Sequence, residues 1–197
     1  MSSIVYDYGG GLYINLTNRC PCACEFCIKN FTDGLGSADT LLLEKEPTVD
    51  EVLSELKKRD VGAYDEVVFC GYGEPTERLD DLLQISRAIK TDFDVKIRIN
   101  TIGLANLRFG EDVTPRMDGV IDAVNVSMNE ADAEKYTALC HPEFGPAAYD
   151  AMLDFIAKVK KHVPVVTCSV VSGSLSRESI EICAAKAAEL GIGFRVR

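Results

Sequence analysis

The chain has 197 residues, 47% of them hydrophobic, and a net charge of −10, enough apolar material for one core and therefore a single domain over 1–197. That acidic balance works against long contacts with phosphate backbones, which rest on clustered Lys and Arg. No apolar run approaches the roughly 18–20 residues of a membrane span, and residues 1–10 carry neither a basic start nor an apolar signal core, so a cytoplasmic location and no membrane contact are expected.

A strand-like run at 11–16 leads into a loop in which Cys20, Cys22, Cys24 and Cys27, four of the eight cysteines, fall within eight residues. Thiolates this dense suit a metal centre better than a disulfide framework, and Cys20, Cys24 and Cys27 stand at C-x3-C-x2-C, which wraps one compact centre. Residues 30–46, rich in Gly, Ser and Asp, read as an irregular lid. A helix opens at Pro47-Thr48, where Thr48 and Glu51 form a capping-box pattern, and ends by Gly62. The buried strand 66–70 ends in Gly71-Tyr72-Gly73-Glu74-Pro75, and an amphipathic helix with Leu79, Leu82, Leu83, Ile85 and Ile89 follows.

Alternation continues with a strand at 94–101, a short helical region to Gly119, a strand at 120–128 and a helical stretch from Ala131. The loop 140–146 precedes a helix at 147–162, a strand at 164–171, a helix at 176–190 with Ser176 as its cap, and a last strand at 192–197. Six β/α steps of parallel sheet result.

Period-2 reading sets Lys96, Arg98 and Asn100 opposite Val95, Ile97 and Ile99. It likewise sets Asn125 and Ser127 opposite Val124 and Val126, Thr167 and Ser169 opposite Val166 and Cys168, and Arg195 and Arg197 opposite Phe194 and Val196. A closed eight-stranded barrel fills its interior with branched apolar side chains, so these polar inner faces predict an incomplete, TIM-like (βα)6 barrel whose concave side is wet or ligand-filled.

With the C-x3-C-x2-C of Cys20, Cys24 and Cys27, aromatic Phe26 before the last cysteine, and Gly71-Tyr72-Gly73-Glu74-Pro75 at the next strand end, the chain resembles the radical S-adenosylmethionine (SAM) superfamily. More closely it is similar to the small radical SAM proteins associated with TatD-family nucleases. That likeness rests on Asn18-Arg19-Cys20-Pro21, on 69–76, on Val126-Ser127-Met128-Asn129, on Leu139-Cys140-His141-Pro142 and on Phe194-Arg195-Val196-Arg197.

The resemblance implies a [4Fe–4S] cluster held by Cys20, Cys24 and Cys27, with a fourth iron free to chelate SAM. Reductive cleavage would then give a 5′-deoxyadenosyl radical that abstracts hydrogen from a substrate. Gly71, Gly73 and Glu74 would border the methionyl amine, Phe26 and the segment around Val170 and Val171 the adenine, and Asn100, Ser127 and Asn129 the ribose and carboxylate. Other readings stand beside these: the glycines turn a loop, and Glu74 caps the helix that starts at Pro75.

Implied partners are a small-molecule, nucleotide-like or peptide substrate and an electron donor such as flavodoxin or ferredoxin. Two alternatives use Cys22, as the fourth ligand of a non-catalytic iron–sulfur electron carrier or within a zinc-stabilised interaction module. Cys140 and His141 are open to a substrate or a structural role, and Arg195 and Arg197 to an anion or a lumenal salt bridge.

Overall fold

The computed structural model describes residues 3–197. Seven strands form one sheet in sequential order: β1 (Val5–Tyr8), β2 (Gly11–Ile14), β3 (Glu66–Phe69), β4 (Lys96–Thr101), β5 (Ala123–Ser127), β6 (Val165–Val170) and β7 (Gly193–Val196). β2 to β7 pair in parallel, as the six-step pattern requires, and β1 and β7 remain edges, so the barrel is partial and open.

β1 is an addition to that pattern. It pairs antiparallel with β2 through a two-residue turn, Gly9-Gly10, with φ of 57° and 85°. Both positions need the left-handed region that glycine enters freely, and such turns match the twist of the flanking strands.

The helices are α1 (Val49–Leu56), α2 (Leu79–Asp92), α3 (Ala105–Phe109), α4 (Ala133–Cys140), α5 (Ala147–Val159) and α6 (Arg177–Glu189). α1 opens on the expected capping box, with Thr48 Oγ1 accepting from Glu51 N and Glu51 Oε2 accepting from Thr48 N. Ser176 caps α6.

The helices cover the convex face of the sheet. There Leu12, Ile14, Val67, Phe69, Ile97, Ile99, Val124 and Val126 join Leu82, Ile85, Phe155 and Ile156 in the main core, together with Cys168 and Cys183. Each of these strand residues alternates with one on the concave face, which is why the sheet reads as half apolar and half polar.

The concave face is not wet throughout. Over β1–β3 a second small core of Tyr6, Tyr13, Val68 and Tyr72 is covered by Ala38 and Leu41 from the irregular segment 30–46. That segment is pinned down and does not stand over the mouth as a free lid. Asn15 Nδ2 donates to Leu41 O at 2.7 Å, Asn18 exchanges two hydrogen bonds with the Leu43 backbone, and Ser37 N donates to Asp7 O. Over β4–β7 the polar residues remain: Arg98, Asn100, Ser127 and Thr167 are half-buried, so solvent reaches them.

Candidate functional site

The cysteine loop leaves β2 at its C-terminal end, the end where parallel α/β sheets carry their chemistry. Two neighbours fix it. On one side it meets the end of β3: Glu74 N donates to Arg19 O at 2.8 Å, and a Cβ on Gly73 would stand 2.3 Å from Thr17 O and 2.5 Å from Arg19 O. Only glycine fits there, because the obstacles are backbone atoms. Gly71 lies against the Asn15 carboxamide.

On the other side the loop is laced to the C-terminal end of α4. Ala23 N donates to Cys140 O (3.0 Å), Glu25 N to Leu139 O (3.1 Å) and Glu143 N to Pro21 O (2.8 Å), while His141 Nε2 stands 3.2 Å from Glu25 Oε1. His141, with φ of 45°, ends the helix in the left-handed region. The Cys140-His141-Pro142 segment is therefore a bracket for the cysteine loop.

The four cysteines differ in exposure. Cys20, Cys24 and Cys27 are half-buried, whereas Cys22 is 5% exposed and packs in the main core. Hydrogen bonds from the Cys140 and Cys22 thiols hold the Cys24 thiol well below its ordinary value, and the same bonds, with burial, push Cys22 and Cys140 up. Burial, and then the Glu74 carboxylate, push Cys20 up to about 12.

This donor set fits an iron–sulfur cluster: Cys20, Cys24 and Cys27 are three soft ligands on one short loop, with the Cys22 thiol buried in the core beside them. Among the described residues no three His, Cys, Asp or Glu side chains are grouped as for a single metal ion.

Glu74 is 4% exposed, and its carboxylate has four protein donors: Thr76 N (3.1 Å), Thr76 Oγ1 (2.6 Å), Thr101 Oγ1 (2.7 Å) and Ile102 N (2.8 Å). Burial pushes its carboxyl above the ordinary value, and the four donors pull the other way. The side chain thus caps the 3-10 turn Pro75–Arg78 and ties the end of β3 to the end of β4, the capping role weighed for it from sequence.

Phe26 lines a cleft of about 580 Å³ at the mouth together with Val171, Ser172, Glu25 and Leu139, so the aromatic of the cysteine loop and the end of β6 do face one space. Another cleft, lined by Arg19, Glu46, Arg78 and Phe109, lies behind the loop on the α1 side. Asn100 accepts from Arg98 Nη1, and Ser127 accepts from Arg197 Nη2 at 3.0 Å. Asn129, left-handed at φ 59° and 2% exposed, points its amide at Cys140 Sγ (3.7 Å), behind the cysteines. The site residues fall into two groups, a mouth group with Phe26 and a lumen group with Asn100 and Ser127, while Glu74 serves the framework between them and Asn129 keeps a buried Oδ1 without a protein partner.

The hairpin strand β1 and the Cys140 bracket were missed in the sequence. Gly9-Gly10 ahead of a strand was a usable signal for the first. The second joins residues more than a hundred positions apart and leaves none.

Among described residues no helix is long and apolar enough to cross a membrane. The pattern of the Radical SAM superfamily matches residues 14–185. A probable dual-specificity RNA methyltransferase RlmN of Prochlorococcus marinus (strain MIT 9515) is 31% identical over 94 residues, 45% of this chain and 24% of that protein. A radical SAM methyltransferase from Sphaerobacter thermophilus superposes with a TM-score of 0.68 at 17% identity, covering 98% of this chain and 57% of that one. SuiB of Streptococcus suis bound to SAM gives 0.67 at 17% identity, covering 96% and 40%, and SuiB bound to its precursor peptide SuiA gives 0.65 at 17%, covering 98% and 40%. The chain thus spans about a quarter of its RNA methyltransferase relative and from 40% to 57% of these structures. The likeness to solved structures establishes the partial-barrel fold, and the family pattern, running through both the cysteine loop and the Gly73-Glu74 strand end, makes the chain a member of the radical SAM superfamily.

Proposed function

We propose that Cys20, Cys24 and Cys27 hold a [4Fe–4S] cluster by three of its irons, and that SAM binds over the mouth of the sheet between the cysteine loop and the ends of β3, β5 and β6. The observation that carries this reading is the direct contact of the two motifs. Glu74 N donates to Arg19 O, one residue before Cys20, so the strand end meant for the methionyl group adjoins the loop meant for the cluster. Held there by Cys20, Cys24 and Cys27, such a cluster would supply the one-electron reduction by which SAM is cleaved to methionine and a 5′-deoxyadenosyl radical.

The chain's own residues bind, orient and exclude water. Glu74 fixes the backbone of residues 71–73, which borders the methionyl amine, by tying it to Thr101 and Ile102. Phe26 and Val171 offer apolar surface to the adenine across the cleft they share. Ser127 and Asn100 face the lumen below, toward ribose, carboxylate and substrate. Cys22 stays a thiol, donating to Cys24 from the core side. An electron donor such as flavodoxin or ferredoxin reduces the cluster in a cytoplasmic setting. The substrate is a small molecule, nucleotide-like or peptide; the TatD-associated likeness and the RNA methyltransferase relative favour a nucleotide or modified base, and peptide-bound SuiB favours a peptide.

Anaerobic reconstitution tests the reading. The protein should turn brown, its reduced form should change its EPR spectrum on adding SAM, and 5′-deoxyadenosine should be released. A cluster whose EPR spectrum is blind to SAM would overturn it.

A further inference from the structure

The concave face over β5–β7 holds hydrogen-bonding groups that the chain does not satisfy. Arg98, at the β4 end of this face, is matched by Glu66 at 2.8 Å and 2.5 Å. Arg195 and Arg197 form no ion pair among the described residues, and Arg197 reaches Ser127 Oγ alone. Both arginines are exposed, at the end of the last strand of the sheet.

Asn125 supplies the second observation. It is 2% exposed, its Nδ2 donates to Ser169 Oγ at 3.1 Å, and its Oδ1 has no partner. Turning the carboxamide over only exchanges which end is orphaned. Buried polar atoms are normally paired, so an orphan aimed into a lumen points to a ligand. The sheet register brings these groups together. Ser127, Ser169 and Arg195 lie in one row across β5, β6 and β7, with Asn125 two residues earlier on β5, about 7 Å away, and Arg197 two residues later on β7.

Resting on the reading of the mouth as the SAM cleft, we propose that this half of the lumen is the substrate site, and that it takes a compact molecule carrying a carboxylate or phosphate beside a hydrogen-bond donor. The anion sits on Arg195 and Arg197, and the donor meets Asn125. Arginine favours such oxyanions because its planar fork matches them bidentately.

The experiment has two arms. In the cluster-free, reduced protein, inorganic phosphate and acetate are titrated separately while the arginine Nε–Hε and asparagine side-chain resonances are followed by NMR. One or both anions should shift Arg195, Arg197 and Asn125 together and saturably, with Arg177, exposed on α6, as the internal control. Arg195→Gln should weaken that binding about tenfold. The preferred anion tells phosphate from carboxylate. Anions that move no lumen resonance, or move Arg177 equally, overturn the proposal.

In the second arm the cluster-loaded wild type and Arg195→Gln are compared for SAM affinity by calorimetry. Equal affinity supports a substrate site. A tenfold loss assigns the arginines to the carboxylate of SAM and overturns it. A wild type that binds no SAM refutes the proposed function instead, and the first arm still decides the anion site.

Discussion

Glu74 offers the sharpest test, because sequence and structure give it different work. Its Oε1 accepts from Thr76 N, Thr76 Oγ1 and Thr101 Oγ1, and its Oε2 from Ile102 N. The two hydroxyls can rotate to other acceptors; the two backbone N–H groups cannot. In Glu74→Gln the single amide oxygen serves one side, and the NH₂ then faces the remaining N–H in a site that is 4% exposed. A buried donor left without an acceptor costs about 1–3 kcal/mol, and for a chain of this size each kcal/mol lowers Tm by about 2–4 °C. The cluster-free Glu74→Gln protein should therefore melt about 2–12 °C below wild type in a calorimetric scan, with no cofactor present. Glu74→Ala, which strands both N–H groups, should fall further. If cluster-free Glu74→Gln melts with the wild type while the loaded variant loses SAM affinity, the bracket between β3 and β4 is refuted and Glu74 belongs to the ligand.

Other expectations follow from single contacts. Cys22→Ala should keep the brown chromophore and SAM cleavage while Cys24→Ala loses both, read by absorbance and by 5′-deoxyadenosine release; equal loss would restore the four-cysteine alternative. Thr48→Ala removes one half of the capping box at α1 and should lower stability by about 1 kcal/mol in a denaturant titration. Hydrogen bonds from Tyr64, then Ser37 and Arg59, hold the Asp7 carboxyl below its ordinary value. Its contribution is therefore present above the unfolded value, near pH 4, and is lost as pH falls through the folded one. Asp7→Asn should flatten that acid limb of the Tm profile, and an unchanged limb would remove Asp7 from the account of acid stability.

Period-2 and period-3.6 patterning made most of the fold legible, since most convex strand residues alternate with polar or aromatic concave ones, Val68 being an exception. The strand β1 escaped because its four residues carry only a weak version of that pattern, and its identity rests on pairing with β2. The segment 30–46 escaped differently. Its Gly, Ser and Asp content reads as loop, and it is irregular, yet it is placed by Ala38 and Leu41 meeting tyrosines from three other segments and by hydrogen bonds to Asn15, Asn18 and Asp7. For the site, the three spaced cysteines and Gly73-Glu74 were legible because short motifs carry their chemistry in sequence. The partners of Asn129, Glu74 and Cys140 were not, because each is a group that the fold brings up from another element.

Those unforeseen contacts narrow what the lumen can accept. A half-barrel lined evenly by polar groups would offer a broad trough, but Tyr6, Tyr13 and Tyr72, roofed by Ala38 and Leu41, fill its β1–β3 side. Tyr6 is 1% exposed and its hydroxyl is spent on Cys70 O at 3.1 Å, so the plug is packed and internally bonded. The space left lies over β4–β7, beneath the cleft of Phe26 and Val171, where Arg98 is neutralised by Glu66 and the free charge begins at β7. On the proposed anion site this leaves room for a compact polar molecule over β4–β7, and opening the plug with Leu41→Ala should loosen the segment 30–46 to proteolysis before it alters anion binding at Arg195 and Arg197.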